Sequence, residues 1–544
     1  MPFLSLLLLL PFLSLSLSQT PPKGFLLDCG AISGSEIDGL SWVTDSGFVS
    51  TGTPKNLTTT TTNTTTLLVP TLSTVRSFPL RIRKNCYTFQ VYRGARYMVR
   101  ATYFYGGING PDHPSPPAFD QIVDGTLWSV VNTTEDYANG DYTVYEGVFL
   151  ARGKTMSFCI GSNSYTDSDP FISALELVIL GDSLYNTTDF SNFGLSLVAR
   201  HSFGYSGSVM RYPDDQFDRM WEPFALNNST KASSSNVSVS GFWNLPPLKV
   251  FETHLGSDQL ESLVLKWPPA SLPNAKYYIA LYFADNNGSS SGRSRILNIS
   301  VNGITYYHDL NVTADGVVVF ANQWPLSGST TVTLAPAASS SLGPLINAGE
   351  IFQLASYLVF QFLTFLRCYN IVIALVKIKE SLQNPPLDWT GDPCMPQQYS
   401  WTGITCSVGR QIRVVTLNLT SMDLSGSLSP YIANMTALTN IWLGNNSLSG
   451  HIPDLSSLKM LETLCYTLLL FKGNNILVAF GIMKHLEDNQ LSGEIPSSLG
   501  NISSLHEIFL QNNNLTGQVP KSLTEKTGLD LKTSGNNLLS PPAS

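Results

Sequence analysis

Ile441-Trp442-Leu443-Gly444-Asn445-Asn446-Ser447-Leu448-Ser449-Gly450-His451-Ile452-Pro453 is one copy of a phrase that the chain repeats. An earlier copy runs from Leu417-Asn418-Leu419 to Leu424-Ser425-Gly426. Later ones close on Leu491-Ser492-Gly493-Glu494-Ile495-Pro496 and Leu515-Thr516-Gly517-Gln518-Val519-Pro520, after Asn489 and Asn514. The period is about 24 residues, which is the mark of a solenoid. Leucines at fixed offsets fill one shared core, and the recurring asparagines can bond the backbone along the stack. No copy is stable alone, so each needs its neighbours.

The period and the Leu-x-Gly-x-Ile/Val-Pro form resemble leucine-rich repeats of the plant extracellular subclass, and the repeats are placed at 411–540. In the strand segments Ile441-Trp442-Leu443 and Ile508-Phe509-Leu510 the middle residue alternates away from the core. Trp442 and Phe509 are therefore candidate partner-binding residues on the concave face; the bland alternative is partial burial against adjacent repeats. A terminal repeat must be capped. The segment 387–410 suits that task, with Trp389, Trp401 and a disulfide expected between Cys394 and Cys406.

The spacing is broken once. The Leu-Ser-Gly expected after Leu448 near position 471 arrives only at Leu491, and the apolar excess is 465–484. Its removal would join Leu461-Glu462-Thr463-Leu464 to His485-Leu486-Glu487-Asp488-Asn489, a well-formed repeat. It reads as retained intron or gene-model sequence, and otherwise as an apolar loop. A second apolar stretch, Leu354 to Val376, is long enough to span a bilayer but contains Arg367. Sequons on both sides argue against a span, so 355–386 is read as an atypical apolar linker.

Upstream, residues 24–353 carry short β-prone runs between Gly, Pro, Asn and Ser clusters, without helical periodicity. The fold class is mainly β, with sandwiches or jelly rolls. Two stretches read as copies: Arg96 to Tyr105, then Asp124-Gly125, and Lys276 to Asp285, then Asn302-Gly303. Tandem halves at about 25–182 and 195–354 follow.

Composition sets the compartment. The 544 residues include 43% hydrophobic but only 13% charged ones, with a net charge of −8. That excludes a phosphate-displacing basic surface, so no nucleic-acid partner is expected. Leu4 to Leu17 followed by Ser16-Leu17-Ser18 reads as a secretory signal (1–18), although the usual preceding basic residue is missing. Sequons stand at Asn56, Asn63, Asn132, Asn186, Asn227, Asn228, Asn236, Asn287, Asn298, Asn311, Asn418, Asn434, Asn445, Asn501 and Asn514. A glycan coat would replace the missing charge. Seven cysteines suit an oxidising compartment, and the absence of any CxxC pair argues against zinc. No metal or cofactor is expected.

Five motifs carry a wider resemblance: Phe25-Leu26-Leu27-Asp28-Cys29-Gly30; the 103–110 run; Asp124-Gly125-Thr126-Leu127-Trp128; Phe217-Asp218-Arg219-Met220-Trp221; and Asn347-Ala348-Gly349-Glu350-Ile351-Phe352. Followed by Gly391-Asp392-Pro393-Cys394 and the repeats, they resemble the ectodomain of a plant malectin-like leucine-rich-repeat receptor kinase, a group related to symbiosis receptor kinases. The resemblance implies an extracellular ligand-sensing region for a carbohydrate, a peptide or a co-receptor kinase. It implies a place on the outer face of the plasma membrane, or secretion. The kinase signatures of that family are absent up to Ser544, so the expectation is a non-enzyme: a receptor ectodomain, or a decoy or co-receptor acting without its own kinase. Malectin holds a glucose disaccharide with loop aromatics and a carboxylate. Its Tyr-Phe pair resembles Tyr282-Phe283 and, by repeat, Tyr103-Phe104, although no position matches its carboxylate. These four are the carbohydrate-binding candidates, and core packing is their alternative. A carbohydrate-active enzyme finds little support: Gly181-Asp182-Ser183-Leu184 lacks its partner histidine motif, and Asp214-Asp215 reads as solvated.

Overall fold

A computed structural model describes residues 23–57, 70–226, 230–232, 237, 241–285, 293–357, 365–409, 412–465 and 489–540. The signal region, the core of the insertion, and the sequons at Asn63, Asn227, Asn228, Asn236 and Asn287 lie outside the described residues. The chain is mainly β.

The two halves of the N-terminal region share one sheet. Eleven strands run through it, and Thr143–Leu150 of the first half pairs with Phe193–Phe203 of the second. Only two register pairs, Gly147 with Ser196 and Val148 with Leu195, make this seam. Four strands form a smaller sheet in each half: Lys84–Gln90, Thr155–Gly161, Phe119–Val123 and Thr126–Val131 in the first, and Leu263–Lys266, Thr331–Pro336, Ile296–Val301 and Ile304–Asn311 in the second. Each packs on one face of the long sheet, as sandwich sheets do. Tyr97, Val99 and Phe119 lie in the first half's core; Tyr277, Leu281 and Leu334 lie in the second's.

The opposite face of the shared sheet has a core of its own. Met98, Val148 and Val178 from the first half meet Tyr278, Tyr282 and Phe352 from the second. Connecting segments close it with Tyr185, Trp221, Phe242 and Phe251. Central strands are therefore covered on both faces, which is why they read as near-continuous apolar runs.

The solenoid follows the repeat. Strands Ile404–Cys406, Val414–Asn418, Asn440–Trp442, Thr463–Cys465, Glu507–Phe509 and Asp530–Lys532 form one ladder, parallel after its first pair. Buried asparagines connect the turns: Leu424 N–H donates to Asn446 Oδ1, Leu448 to Asn489, Leu491 to Asn513 and Leu515 to Asn536. Sequence separations are 22, 41, 22 and 21 residues. The long step spans the insertion, and the ladder keeps its partners across it.

The capping unit begins earlier than 387. Helix Phe365–Ser381 supplies Ala374, Leu375 and Ile378 to the solenoid core, and Leu382 follows them. Gln383 N–H then donates to Ser425 O, closing the open edge. The second part of the presumed linker is thus solenoid core, because its apolar side chains meet the first repeat. No described helix is long and apolar enough to cross a membrane. Cys394 and Cys406 are disulfide-bonded, and Trp389 stacks on Trp401 with centroids 5.2 Å apart. Each indole donates to a carbonyl, Trp389 to Thr402 and Trp401 to Thr390.

Candidate functional site

All four carbohydrate candidates are interior residues. Tyr103, Tyr282 and Phe283 are fully buried and Phe104 is 9% exposed. Tyr103 donates to Gln121 Oε1 at 3.1 Å and packs edge-on against Phe119, Tyr145 and Phe171. Tyr282 donates to Glu350 Oε1 at 2.6 Å. The two Tyr-Phe pairs are also not equivalent. Tyr103 and Phe283 face the separate sandwich cores, whereas Tyr282 faces the core shared by the halves. The two pairs are offset by one residue, and one residue along a strand reverses the face. With no ring at a surface, this arrangement leaves none to stack on a sugar.

Tyr282 instead belongs to a sealed ionic cluster between the halves. Arg100 meets Glu146 at 2.9 Å, Glu176 at 2.7 Å and Asp218 at 3.2 Å. Arg200 meets Glu146 and Glu350, each at 2.7 Å. Arg211 holds Asp218 at 2.5 Å, and Arg219 holds Asp215 at 2.9 Å. Four guanidinium groups thus face five carboxylates. Asp215 is fully buried and also accepts from Trp221 Nε1, so the expectation of a solvated Asp214-Asp215 pair is corrected for Asp215, while Asp214 stays partly exposed beside Lys249. The chain returns between residues 210 and 221 to place Asp215, Asp218 and Arg219 under the sheet.

Burial sets the titration of the cluster. It pushes the Glu176 carboxyl up to about 7, with Asp218 adding to the rise and Arg100 opposing it. Burial also raises Glu350, but Arg200, Arg219 and the Tyr282 hydroxyl outweigh it and hold that carboxyl below its usual range. Glu146 is likewise held down by Arg200 and Arg100 against burial. These groups are consumed by one another, which makes the cluster a weld between halves. Sequence reading missed it, although a glutamate at the same place in two apolar strands, Ala174-Leu175-Glu176 and Ala348-Gly349-Glu350, was the available signal.

The open site lies on the outer face of the first half's smaller sheet, where the repeat cap docks. Cys86 and Cys159 are disulfide-bonded and, with Ile122 and Tyr399, form a small core. Gly391 sits on that bridge with φ 64°; a Cβ there would lie 2.7 Å from Cys86 Sγ. Lys84 Nζ donates to Asp392 O at 2.6 Å, and Tyr399 OH to Asp120 Oδ2 at 2.7 Å. Burial pulls the Lys84 ammonium down to about 8, against Asp392 and Asp388.

Beside this contact a cleft of about 890 Å³ opens between sandwich, helix and cap. Phe48, Val49 and Met156 line it from the sandwich, Ile373 and Val376 from the helix, and Met395 and Ile412 from the cap side. Lys154 and Arg413 border it, and Arg413 Nε is buried without a hydrogen-bond partner among the described residues. Asp124 lies on the wall at φ 46° and accepts from Ser157 N–H at 2.7 Å; burial raises its carboxyl to about 7 against that bond. Nothing in the sequence pattern put these residues together, since 48, 156 and 373 meet only in the fold.

On the solenoid, Trp442 is half-buried and Phe509 is 5% exposed, with Lys532 Nζ 4.1 Å from the Phe509 ring centroid. Both face away from the core, as alternation predicts, but Phe509 is covered. Among the sequons, Asn56, Asn132, Asn186, Asn311, Asn418, Asn434, Asn501 and Asn514 are exposed, while Asn298 and Asn445 are half-buried.

Comparison with known proteins agrees with this architecture. A malectin-like domain model matches residues 27–354, and a leucine rich repeat N-terminal domain model matches 372–407. A probable LRR receptor-like serine/threonine-protein kinase of Arabidopsis thaliana is 31% identical over 515 residues, covering 88% of this chain and 49% of its own length. A second such kinase from that plant is 30% identical over 440 residues, covering 78% and 48%. The chain spans about half the length of the curated relatives it matches. In fold it is similar to the ANX2 ectodomain from Arabidopsis thaliana (TM-score 0.50, 15% identity, 61% of this chain and 97% of that one). It is similar too to a chain in the complex of the plant peptide RALF23 with FER and LLG2 (TM-score 0.51, 18% identity, 62% and 96%). With its matched domain covering more than half of its length, and a leucine-rich-repeat cap behind it, the chain belongs to the malectin-like domain family.

Proposed function

We propose that this chain is the extracellular ligand-sensing region of a plant cell-surface receptor-like protein. It binds a peptide or a partner protein without catalysis, and the ligand seats between sandwich and repeat cap. The cleft carries this reading: it is apolar, partly open, bordered by Lys154 and Arg413, and built from both modules. A pocket of that size and lining suits side chains of an extended peptide. The fold neighbour found with a peptide and a second protein supports the same class of ligand. Sugar binding by Tyr103, Phe104, Tyr282 and Phe283 has no support in their surroundings.

The test is calorimetric titration of the secreted protein with a panel of plant secreted peptides and of cell-wall oligosaccharides. At least one peptide should bind, and Val376→Arg, a change at a half-exposed position, should weaken it at least tenfold. Peptide binding indifferent to Val376→Arg would move the site elsewhere. Binding of oligosaccharides alone would overturn the peptide reading.

A further inference from the structure

We infer that Asn418 carries an N-linked glycan whose first sugar lies on the indole of Trp442, closing the concave face of the first repeats. Asn418 begins the sequon Asn418-Leu419-Thr420 and ends the strand Val414–Asn418. Its neighbours Leu417 and Leu419 are in the core, so Asn418 points out, and it is exposed. In the parallel ladder it is directly in register with Trp442, about 4.8 Å away along the sheet. On its other flank is Gly403, which has no side chain; its carbonyl accepts from Asn418 N–H at 2.7 Å. Among the described residues, the only large side chain beside Asn418 in the ladder is therefore Trp442.

Trp442 is prepared for such a neighbour. Its ring is half-buried, so part of its apolar surface stays open beside the exposed Asn418 with which it is in register. The C–H face of a sugar on the indole removes both apolar surfaces from water. Asn418 Oδ1 accepts from Thr420 N–H at 3.2 Å, which leaves Nδ2 directed away from the turn. In the modification, Nδ2 attacks the anomeric carbon of a lipid-linked oligosaccharide. The C–O bond to the lipid pyrophosphate breaks, the N–C bond forms, and the amide loses one proton. The other described solenoid sequons, at Asn434, Asn445, Asn501 and Asn514, lie outside this ladder. A face closed in this way cannot use Trp442 as a protein anchor.

The inference rests on the extracellular placement proposed above. The full chain is expressed in plant cells, and its glycopeptides are mapped by mass spectrometry. Asn418→Gln and Thr420→Ala are each melted in the native and in the Trp442→Ala background. Asn418 should be occupied. Both variants should lower the solenoid melting temperature by about 1–3 °C, and by less than a third of that when Trp442 is absent. Asn418 unmodified while other sequons are occupied overturns this inference alone. No occupied sequon anywhere overturns the extracellular placement as well. Equal losses in both backgrounds, or a loss with Asn418→Gln but not Thr420→Ala, also overturn the contact, because the asparagine itself would then be structural.

Discussion

The first sandwich half meets the second through a continuous sheet and a buried ionic cluster; it meets the repeat cap through the outer face of its smaller sheet, where Tyr399 packs beside the Cys86–Cys159 disulfide, and through an open cleft. Between the halves, Arg100, Arg200 and Arg219 and the carboxylates they meet are desolvated, with only Arg211 partly open to solvent, so each depends on the other. At the cap, the bonds run from side chains such as Lys84 and Tyr399 to a carbonyl and a single carboxylate. One junction fixes a geometry, whereas the other leaves room for something else to bind. Substitutions that break each in turn should separate the two.

The largest effect belongs to the weld. Arg100→Ala would strand Glu146, Glu176 and Asp218 without their shared cation. Removing one partner of a buried ion pair costs about 3–5 kcal/mol. Both sandwich halves should lose stability together in thermal unfolding, since they share a sheet and a core. Independent melting of the second half at its native temperature would show that the weld does not couple them.

Next comes the cap junction. Gly391→Ala places a methyl against Cys86 Sγ and forces a residue with a side chain to hold φ 64°. Overpacking and backbone strain each cost about 1–3 kcal/mol. The solenoid should separate from the sandwich, seen as a splitting of one calorimetric transition into two, while the temperature at which the sandwich melts barely moves. A lowered sandwich melting temperature would mean that the cap is part of its core.

What the sequence disclosed follows the same division. The solenoid was legible because each core slot is written once per repeat, so Leu448, Leu491 and Leu515 announce their own positions. The count breaks once, and the step from Leu448 to Asn489 is 41 residues where its neighbours are 22. The tandem halves were legible as β-rich copies, but their fusion was not. It rests on Gly147 and Val148 meeting Ser196 and Leu195, a long-range pairing with no local signal. The aromatic candidates failed because a Tyr-Phe pair at a strand end looks the same whether the strand borders a loop or, as here, is covered on both faces. The cleft was invisible for a simpler reason: its walls are more than 200 residues apart in sequence, from Met156 to Ile373.

Acidity offers a second way to probe the weld. Glu176, facing Arg100, Arg211 and Asp218, is raised to about 7 in the fold. An unfolded glutamate titrates near 4.3. Between those values the folded chain keeps a proton that the unfolded chain has lost, so stability falls as pH rises from about 4.5 to 7. Asp124 at the cleft acts in the same direction. Glu146, Glu350 and Asp218 are held low and withdraw their support only in stronger acid. The expected loss between pH 5 and 7.5 is on the order of 2 kcal/mol for each of these two carboxyls, and Glu176→Gln should remove the share of Glu176. Stability equal at both pH values, or higher at 7.5, would contradict the assignment.

The smallest effect sharpens the cap junction most. Tyr399 fills the small core beside the Cys86–Cys159 disulfide, and its hydroxyl donates to Asp120 Oδ2, while Asp120 Oδ1 is already held by Asn163 Nδ2 at 2.8 Å. Tyr399→Phe keeps the ring and removes one bond to a buried carboxylate, which costs about 1–2 kcal/mol. Because Asn163 still holds Asp120, the sandwich should keep its own melting temperature. The deficit should appear only in the coupling between sandwich and solenoid, measured as faster hydrogen exchange at 388–401 than in the native chain. A matching rise in exchange across Phe119–Val123 would instead place Tyr399 inside the sandwich core, and the two junctions would then differ only in degree.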